Sequence, residues 1–366
     1  MLKKQVIYAA LSGVASLAFT LTPAMAATVG NDTTGADSDN TAEVAVENDL
    51  TILQQNDLRI TNNIAVSSNT GENSASKNTG DGSVSSGDAS AGASVSNVGN
   101  TNTLSLTGGM GGDSMDASNS TTGAESDNDA KVDVNNDLDL TQKNNANIDN
   151  NLNIEAETGE NSADKNTGDG SASSGDAEVD VVVENDLNKN ELEVDDFGSG
   201  AISAMNEQTG AESDNETKVD INNDMDLLQD NSLRVNNDVN VEADTGDNSA
   251  DKNTGDGSAS SGDAEVDVMV ETSGNSNSAE LDMEVDGDFE VSNDTTGWDS
   301  DNEAEIKVEN NVDVTQDNHS CIENKGDIEA ESGENTADKN TGDGSVMGGD
   351  TEVDVQVSTD VNVNTL

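Results

Sequence analysis

The chain has 366 residues and carries 76 acidic against 14 basic side chains, a formal charge of −62 at pH 7, with aromatic residues at 1%. Such a field repels nucleic-acid phosphates and anionic lipid headgroups, and it attracts cations or basic surfaces. The same composition lies in the range of chains that stay disordered, so an acidic chain ordered only by cations is one reading open at this point.

The first 26 residues, MLKKQVIYAALSGVASLAFTLTPAMA, set Lys3 and Lys4 before an apolar stretch from Val6 to about Leu21 and end in Ala24-Met25-Ala26. That is the form of a secretory signal peptide cleaved after Ala26. The expected mature chain, Ala27 to Leu366, is secreted, either extracellular or held at the cell surface, with no membrane insertion after cleavage. A lone Cys321 excludes an intrachain disulfide framework.

Beyond the signal the sequence repeats itself. A Thr-Gly pair opens each unit at Thr34, Thr122, Thr209 and Thr296, in steps of 88, 87 and 87 residues. The heptapeptide KNTGDGS returns at Lys77–Ser83, Lys165–Ser171, Lys252–Ser258 and Lys339–Ser345. The expected units are residues 27–98, 121–190, 208–271 and 295–366, joined by linkers at 99–120, 191–207 and 272–294.

Within the first unit, AEVAVENDLTILQQNDLRITNNIAV places Val44 and Val46, Leu50 and Ile52, Leu58 and Ile60, and Ile64 and Val66 at period two, with Asn or Asp between the pairs. The pattern predicts strands of about five residues broken by turns at those Asn and Asp positions. A second strand set closes the later units, at Val179, Val181 and Val183, at Val266, Val268 and Val270, and at Val353, Val355 and Val357. No long segment has helical spacing, so the expected fold is all-β. A tandem-repeat β-solenoid accounts for it best, because a thin interior of small branched residues suffices when each turn stacks on the next. A β-sandwich array needs larger side chains than this chain offers and is the weaker alternative.

In DKNTGDGSASSGD the residues Asp164, Asn166, Asp169 and Asp176 arrive at spacings close to a calcium loop, with Gly170 at the sharp turn. The extra Gly168, the missing bidentate Glu and the absence of flanking helices exclude an EF-hand. A generic divalent-cation site remains a reading, with calcium the expected ion. Its candidate ligands are Asp81 and Asp88 in the first unit, Asp251, Asn253, Asp256 and Asp263 in the third, and Asp338, Asn340, Asp343 and Asp350 in the fourth. The competing reading is structural: Gly80, Gly82 and Gly87 take positive φ at corners, while Asn78, Asn166, Asn253 and Asn340 cap backbone groups or stack as a ladder.

TGENSADKNTGDGSASSGDAEVDV resembles the Asn/Gly/Asp-rich tandem repeats of exported bacterial surface proteins, and its GENSA is similar in style to curlin repeats. Only Gln54, Gln142, Gln229 and Gln316 recur, once per unit, whereas curlin repeats are short with regularly placed Gln. The resemblance implies work in adhesion, envelope coating or matrix formation, with other surface or matrix molecules or further copies of the chain as partners.

An enzyme is not expected. Acid–base chemistry needs groups in an enclosed pocket, and the chain has one His, His319, and no nucleophile, phosphate-loop or zinc signature. His319 with Cys321 reads as an incidental pair in one unit, and Trp298 as a local packing or capping change. Asn-x-Ser/Thr sequons stand at Asn31, Asn119, Asn215, Asn293 and Asn318, open to glycosylation in a host that has the machinery.

Overall fold

In the computed structural model the described residues are 5–10, 14–20, 26–107, 114–195, 200–282 and 288–366. They are all-β. Two strands, β1 (Gln5–Ala10) and β2 (Val14–Thr20), precede four layers of five strands each. Layer one holds β3 (Ala26–Asp32), β4 (Asp39–Asn69), β5 (Asn73–Ser74), β6 (Gly82–Ser85) and β7 (Ala89–Thr107). Layer two repeats them as β8 (Ser114–Ser120), β9 (Asp127–Glu157), β10 (Asn161–Ser162), β11 (Gly170–Ser173) and β12 (Ala177–Asp195). Layer three holds β13 (Ala201–Glu207), β14 (Asp214–Asp244), β15 (Asn248–Ser249), β16 (Gly257–Ser260) and β17 (Ala264–Leu281). Layer four holds β18 (Phe289–Asp294), β19 (Asp301–Glu331), β20 (Asn335–Thr336), β21 (Gly344–Met347) and β22 (Thr351–Thr365).

Every strand of the four layers pairs in parallel with its own counterpart one layer away, so the 87- or 88-residue repeat is one full layer. Asp39 lies against Asp127, Asp127 against Asp214, and Asp214 against Asp301, and the register holds without a slip to Glu331. The expected linkers are part of this scheme. Residues 99–107 belong to β7 and Ser114–Ser120 form β8, while 108–113 lie outside the described residues.

The long strands of 31 residues differ from the short, broken strands that period-two spacing suggests. In β9 the alternation of buried and outward residues runs unbroken from Asn128 to Ala156. Asn136 falls on the same side as Val132, Val134 and Leu138, so it interrupts nothing. No turn is needed there because a buried amide can bond to the identical amide above and below it.

Within a layer the chain runs out along the long strand and returns along the opposite side. Leu50 and Ile52 meet Leu104 and Leu106 across the interior, and Ile154 and Ala156 meet Val179 and Val181. Ala42, Val44 and Val46 meet Ala117 and Met115 near the entry turn. In layer two Val132, Leu138, Ile148 and Val181 are all fully buried. Each such side chain contributes about 1.5–3 kcal/mol of burial relative to exposure. Layer four is largely surface, with Ile306 and Val355 exposed, whereas Ile52 and Leu104 of layer one are buried.

Left-handed backbone marks the corners, and it falls on residues the sequence did not point to. Lys77, Lys165, Lys252 and Lys339 have φ of 65°, 59°, 62° and 58°. Asn100, Asn188, Asn275 and Asn362 share the conformation at a second corner. Gly80, Gly82 and Gly87, expected at positive φ, are not in it. Gly82 is small where the next layer comes close; a Cβ on Gly80 or Gly87 would meet nothing within 4 Å, whereas on their counterparts Gly168 and Gly175 it would clash.

Candidate functional site

The recurring heptapeptide stacks on its own copies, and each of its residues does one thing. Asn166 Nδ2 donates to Ala163 O at 3.0 Å, and Asn166 Oδ1 accepts the N–H of Asn78 at 2.9 Å. Asn253 and Asn340 repeat the arrangement, with bonds of 2.8 and 2.7 Å to the N–H of Asn166 and Asn253. These amides are consumed by backbone groups of two layers.

The aspartates behave in the same way. Asp81 Oδ1 accepts the N–H of Asp169 at 3.0 Å, Asp169 that of Asp256 at 2.8 Å, and Asp256 that of Asp343 at 2.7 Å. A parallel column joins Asp88, Asp176, Asp263 and Asp350 at 3.1, 2.9 and 2.8 Å. In a third, Asp164 accepts the N–H of Asp251 at 2.7 Å and Asp251 that of Asp338. Ser76 stands in for the Asp in layer one, its Oγ 3.3 Å from the Asp164 nitrogen.

The glycines make room for these columns. A Cβ on Gly168 would lie 2.1 Å from Asp81 Oδ1, and one on Gly82 would lie 2.3 Å from Asn166 Nδ2. Thr-Gly-Asp-Gly is therefore the spelling of a corner in which one carboxylate and one amide per layer pass through positions that a side chain would block.

Each candidate ligand is thus brought to its own copies. Asp81, Asp88, Asp169, Asp176, Asp256, Asp263, Asp343 and Asp350 are exposed, whereas Asn166 and Asn253 are buried. Among the described residues no group of three or more His, Cys, Asp or Glu is arranged to hold a metal ion.

Acidic columns also run along the outward faces of the strands. Glu178, Glu265 and Glu352 stack in register, as do Asp180, Asp267 and Asp354. The neighbouring Asp267 raises the Glu265 carboxyl above its ordinary value of 4.5, with burial and the stacked Glu352 and Glu178 adding to it. Burial raises Asp226 above 3.8, and Asp224, Asp139 and Asp313 add to it. Cations relieve a few of these columns: Lys131 Nζ lies 2.5 Å from Asp133, and Lys218 lies 3.6 Å from Asp220 and 3.8 Å from Glu305. A shallow groove beside the corner is edged by Glu72, Glu160, Asp247 and Glu334, one from each layer.

The residues that sequence reasoning missed are the inward amides. Asn144 Nδ2 is 3.1 Å from Asn231 Oδ1 in the next layer and 2.9 Å from Asn190 Oδ1 across the interior, while its own Oδ1 accepts from Asn56 at 3.0 Å. Gln54, Gln142, Gln229 and Gln316 form a second column, in which Gln142, Gln229 and Gln316 each donate to the layer before at 2.7, 2.8 and 2.8 Å. The signal that could have found them is parity, since each stands an even number of residues from the buried Val and Leu of its strand.

Of the sequons, Asn119 and Asn215 are 0% and 1% exposed. Asn119 Nδ2 donates to Asn206 Oδ1 at 3.0 Å and to Asp129 O at 2.8 Å, which closes it to a sugar in the folded chain. His319 and Cys321 occur in layer four alone, opposite Ser232 and Arg234 of layer three. Trp298 is 76% exposed, and its carbonyl accepts the N–H of Glu212 at 2.9 Å. No helix among the described residues is long and apolar enough to cross a membrane. Comparison with protein-family models, with curated proteins and with solved structures finds no match.

Proposed function

We propose that this chain is a β-solenoid that serves as a secreted or cell-surface structural protein, acting in adhesion, envelope coating or extracellular matrix through multivalent contacts. The observation that carries the reading is columnar repetition: the same outward carboxylates recur once per layer, in register, as in Glu178, Glu265 and Glu352. A partner with a repeating basic or cation-bridged surface meets several identical contacts at one spacing, which multiplies weak affinities. The signal-like segment ending at Ala26 favours work outside the cell. Shallow acidic grooves without bulky walls favour contact over catalysis.

Gold-labelled antibody against the chain, applied to intact and to opened cells of its source, tests the location. Label on intact cells, together with weaker attachment or a thinner coat in a deletion strain, is the expected result. Label found only after opening the cells would overturn the proposal.

A second reading, an acidic calcium-binding protein that folds or assembles on cation binding, is favoured by one observation. Carboxylates of like charge stand one strand spacing apart, ~4.8 Å, in uninterrupted columns such as Asp81, Asp169, Asp256 and Asp343. Hard divalent cations bind such oxygens without a preformed cage. Far-UV circular dichroism with and without calcium, at ionic strength matched by sodium chloride, separates the readings. Strand signal that appears only with calcium supports the second, and signal indifferent to calcium removes it.

A further inference from the structure

We propose that the outer edge of layer four accepts layer one of a second copy of this chain, and that β1 and β2 cover the matching edge of layer one until the N-terminal segment is removed.

Layer four exposes what the inner layers bury. Val219 is fully buried while Ile306, its partner in β19, is 49% exposed, and Val268 is 4% exposed against 46% for Val355. These side chains point into the stack, and in the inner layers the next layer covers them.

Layer one carries the complementary defect. Asn56 and Asn100 are fully buried, yet the Oδ1 atoms of both have no hydrogen-bond partner among the described residues. One layer on, the equivalent oxygens of Asn144 and Asn188 accept from Asn56 and Asn100, at 3.0 and 2.6 Å. The Asn columns therefore have a polarity, each Nδ2 giving to the layer that follows. At the far end Asn318 repeats the bonds that Asn231 makes within its layer, to Val363 O and Asn364 Oδ1, but lacks the onward bond Asn231 makes to Asn318. In the proposed joint Asn318 gives to Asn56 of the second copy and Asn362 gives to Asn100. The Gln column runs the other way, so Gln54 of the second copy gives to Gln316.

The apolar rows fit in the same register. By the equivalence of layers one to four, Leu50 falls on Val312, Ile52 on Val314, Ile60 on Ile322 and Val66 on Ile328. The joint is the contact already made three times inside the molecule. Its two faces are different surfaces, so the association does not close and elongates, as unpaired parallel edges favour.

The N-terminal strands occupy part of this edge. Among the described residues β1 pairs with Leu50–Gln55 of β4, and β2 with Thr101–Thr107 of β7. They flank Asn56 and Asn100 without supplying the missing donors. Loss of residues 1–26 as a signal frees the edge for the better-matched partner, and the acidic columns make the joint dependent on salt or divalent cations.

The test uses the full chain with a protease site placed between Ala26 and Ala27, folded first and cleaved afterwards. Cleavage in salt is expected to convert a monomer into growing oligomers by light scattering, and to shift the emission of Trp298, the single tryptophan, to shorter wavelength. In the proposed register Cys321 of one copy meets Arg59 of the next. Arg59→Cys should therefore give disulfide-linked multimers after cleavage, mapping to position 59 joined to Cys321. Ile306→Lys with Val355→Lys, both at exposed positions, should abolish elongation and leave the strand signal unchanged. A cleaved chain that stays monomeric with or without calcium, multimers linked Cys321 to Cys321, or equal growth before cleavage would each overturn the proposal.

Discussion

Asn56 and Asn144 are 88 residues apart in the chain and are joined by a side-chain hydrogen bond of 3.0 Å inside the stack. The bond is one step of a column that continues through Asn231 to Asn318 and is tied at every layer to the opposite strand. A buried amide so placed is neutral only while its neighbours are amides. Asn144→Ala strands donors or acceptors on Asn56, Asn102 and Asn231, each at a cost of about 1–3 kcal/mol. The expected loss is at least ~2 kcal/mol in chemical denaturation. Asn145→Ala, on the outward face of the same strand, should stay within ~0.5 kcal/mol.

Gly80 and Gly168 hold the same place in successive copies of the heptapeptide, yet their surroundings differ. A Cβ on Gly80 meets nothing within 4 Å, whereas on Gly168 it meets Asp81 Oδ1 at 2.1 Å and the Asp81 nitrogen at 2.7 Å. Gly168→Ala is expected to lower the melting temperature by several degrees, since overpacking costs about 1–3 kcal/mol. Gly80→Ala should leave it unchanged, and equal effects would remove the packing explanation for this glycine.

The acidic columns fix the sign of the pH dependence. Asp267 raises Glu265 above 4.5, burial raises Glu242 above 4.5 and Asp226 above 3.8, and the side-chain hydrogen bond with Glu329 raises Glu331 above 4.5, with further like charges adding to each. Such groups hold a proton more tightly folded than unfolded, so their stabilising contribution is complete below the unfolded value and fades as pH rises through the folded one. Acidifying from neutrality toward about pH 5 should therefore raise the melting temperature at low salt. Lys325 holds Glu323 below 4.5 and opposes the trend at one position. Added sodium chloride should flatten the profile, and a melting temperature that falls on acidification from pH 7 would contradict the assignment.

Backbone protection should follow the layers. Amides of β9 and β14 are bonded on both edges to neighbouring strands, whereas β19 has one paired edge among the described residues. Hydrogen exchange on the full chain should find β9 and β14 slowest, and the amides on the open edge of β19 near the rate of unprotected chain. Uniform protection across β14 and β19 would mean that the outer edge is already covered.

The all-β class and the 87-residue step were legible in the sequence, because a period of two in Val, Leu and Ile is a property of the strand alone. The columns of Asp81, Asp88 and Asp164 were legible only as a motif. Their spacing along the chain suggested one ion held by neighbours in a loop, and the fold instead sets each beside its own copy. Sequence separation of two to twelve residues and separation of 87 look equally remote or equally close until the stack is known.

What the sequence determined by itself is the alternation, the repeat length and the charge, all consequences of local chemistry. Only the tertiary structure decided that one repeat makes one layer, that Asn136 and Asn144 face inward instead of turning the chain, and that left-handed φ falls on Lys165 while Gly168 stays out of it. The physical reason is that a buried amide or a crowded glycine is costly or harmless according to what lies one layer away, and that neighbour is 87 or 88 residues distant.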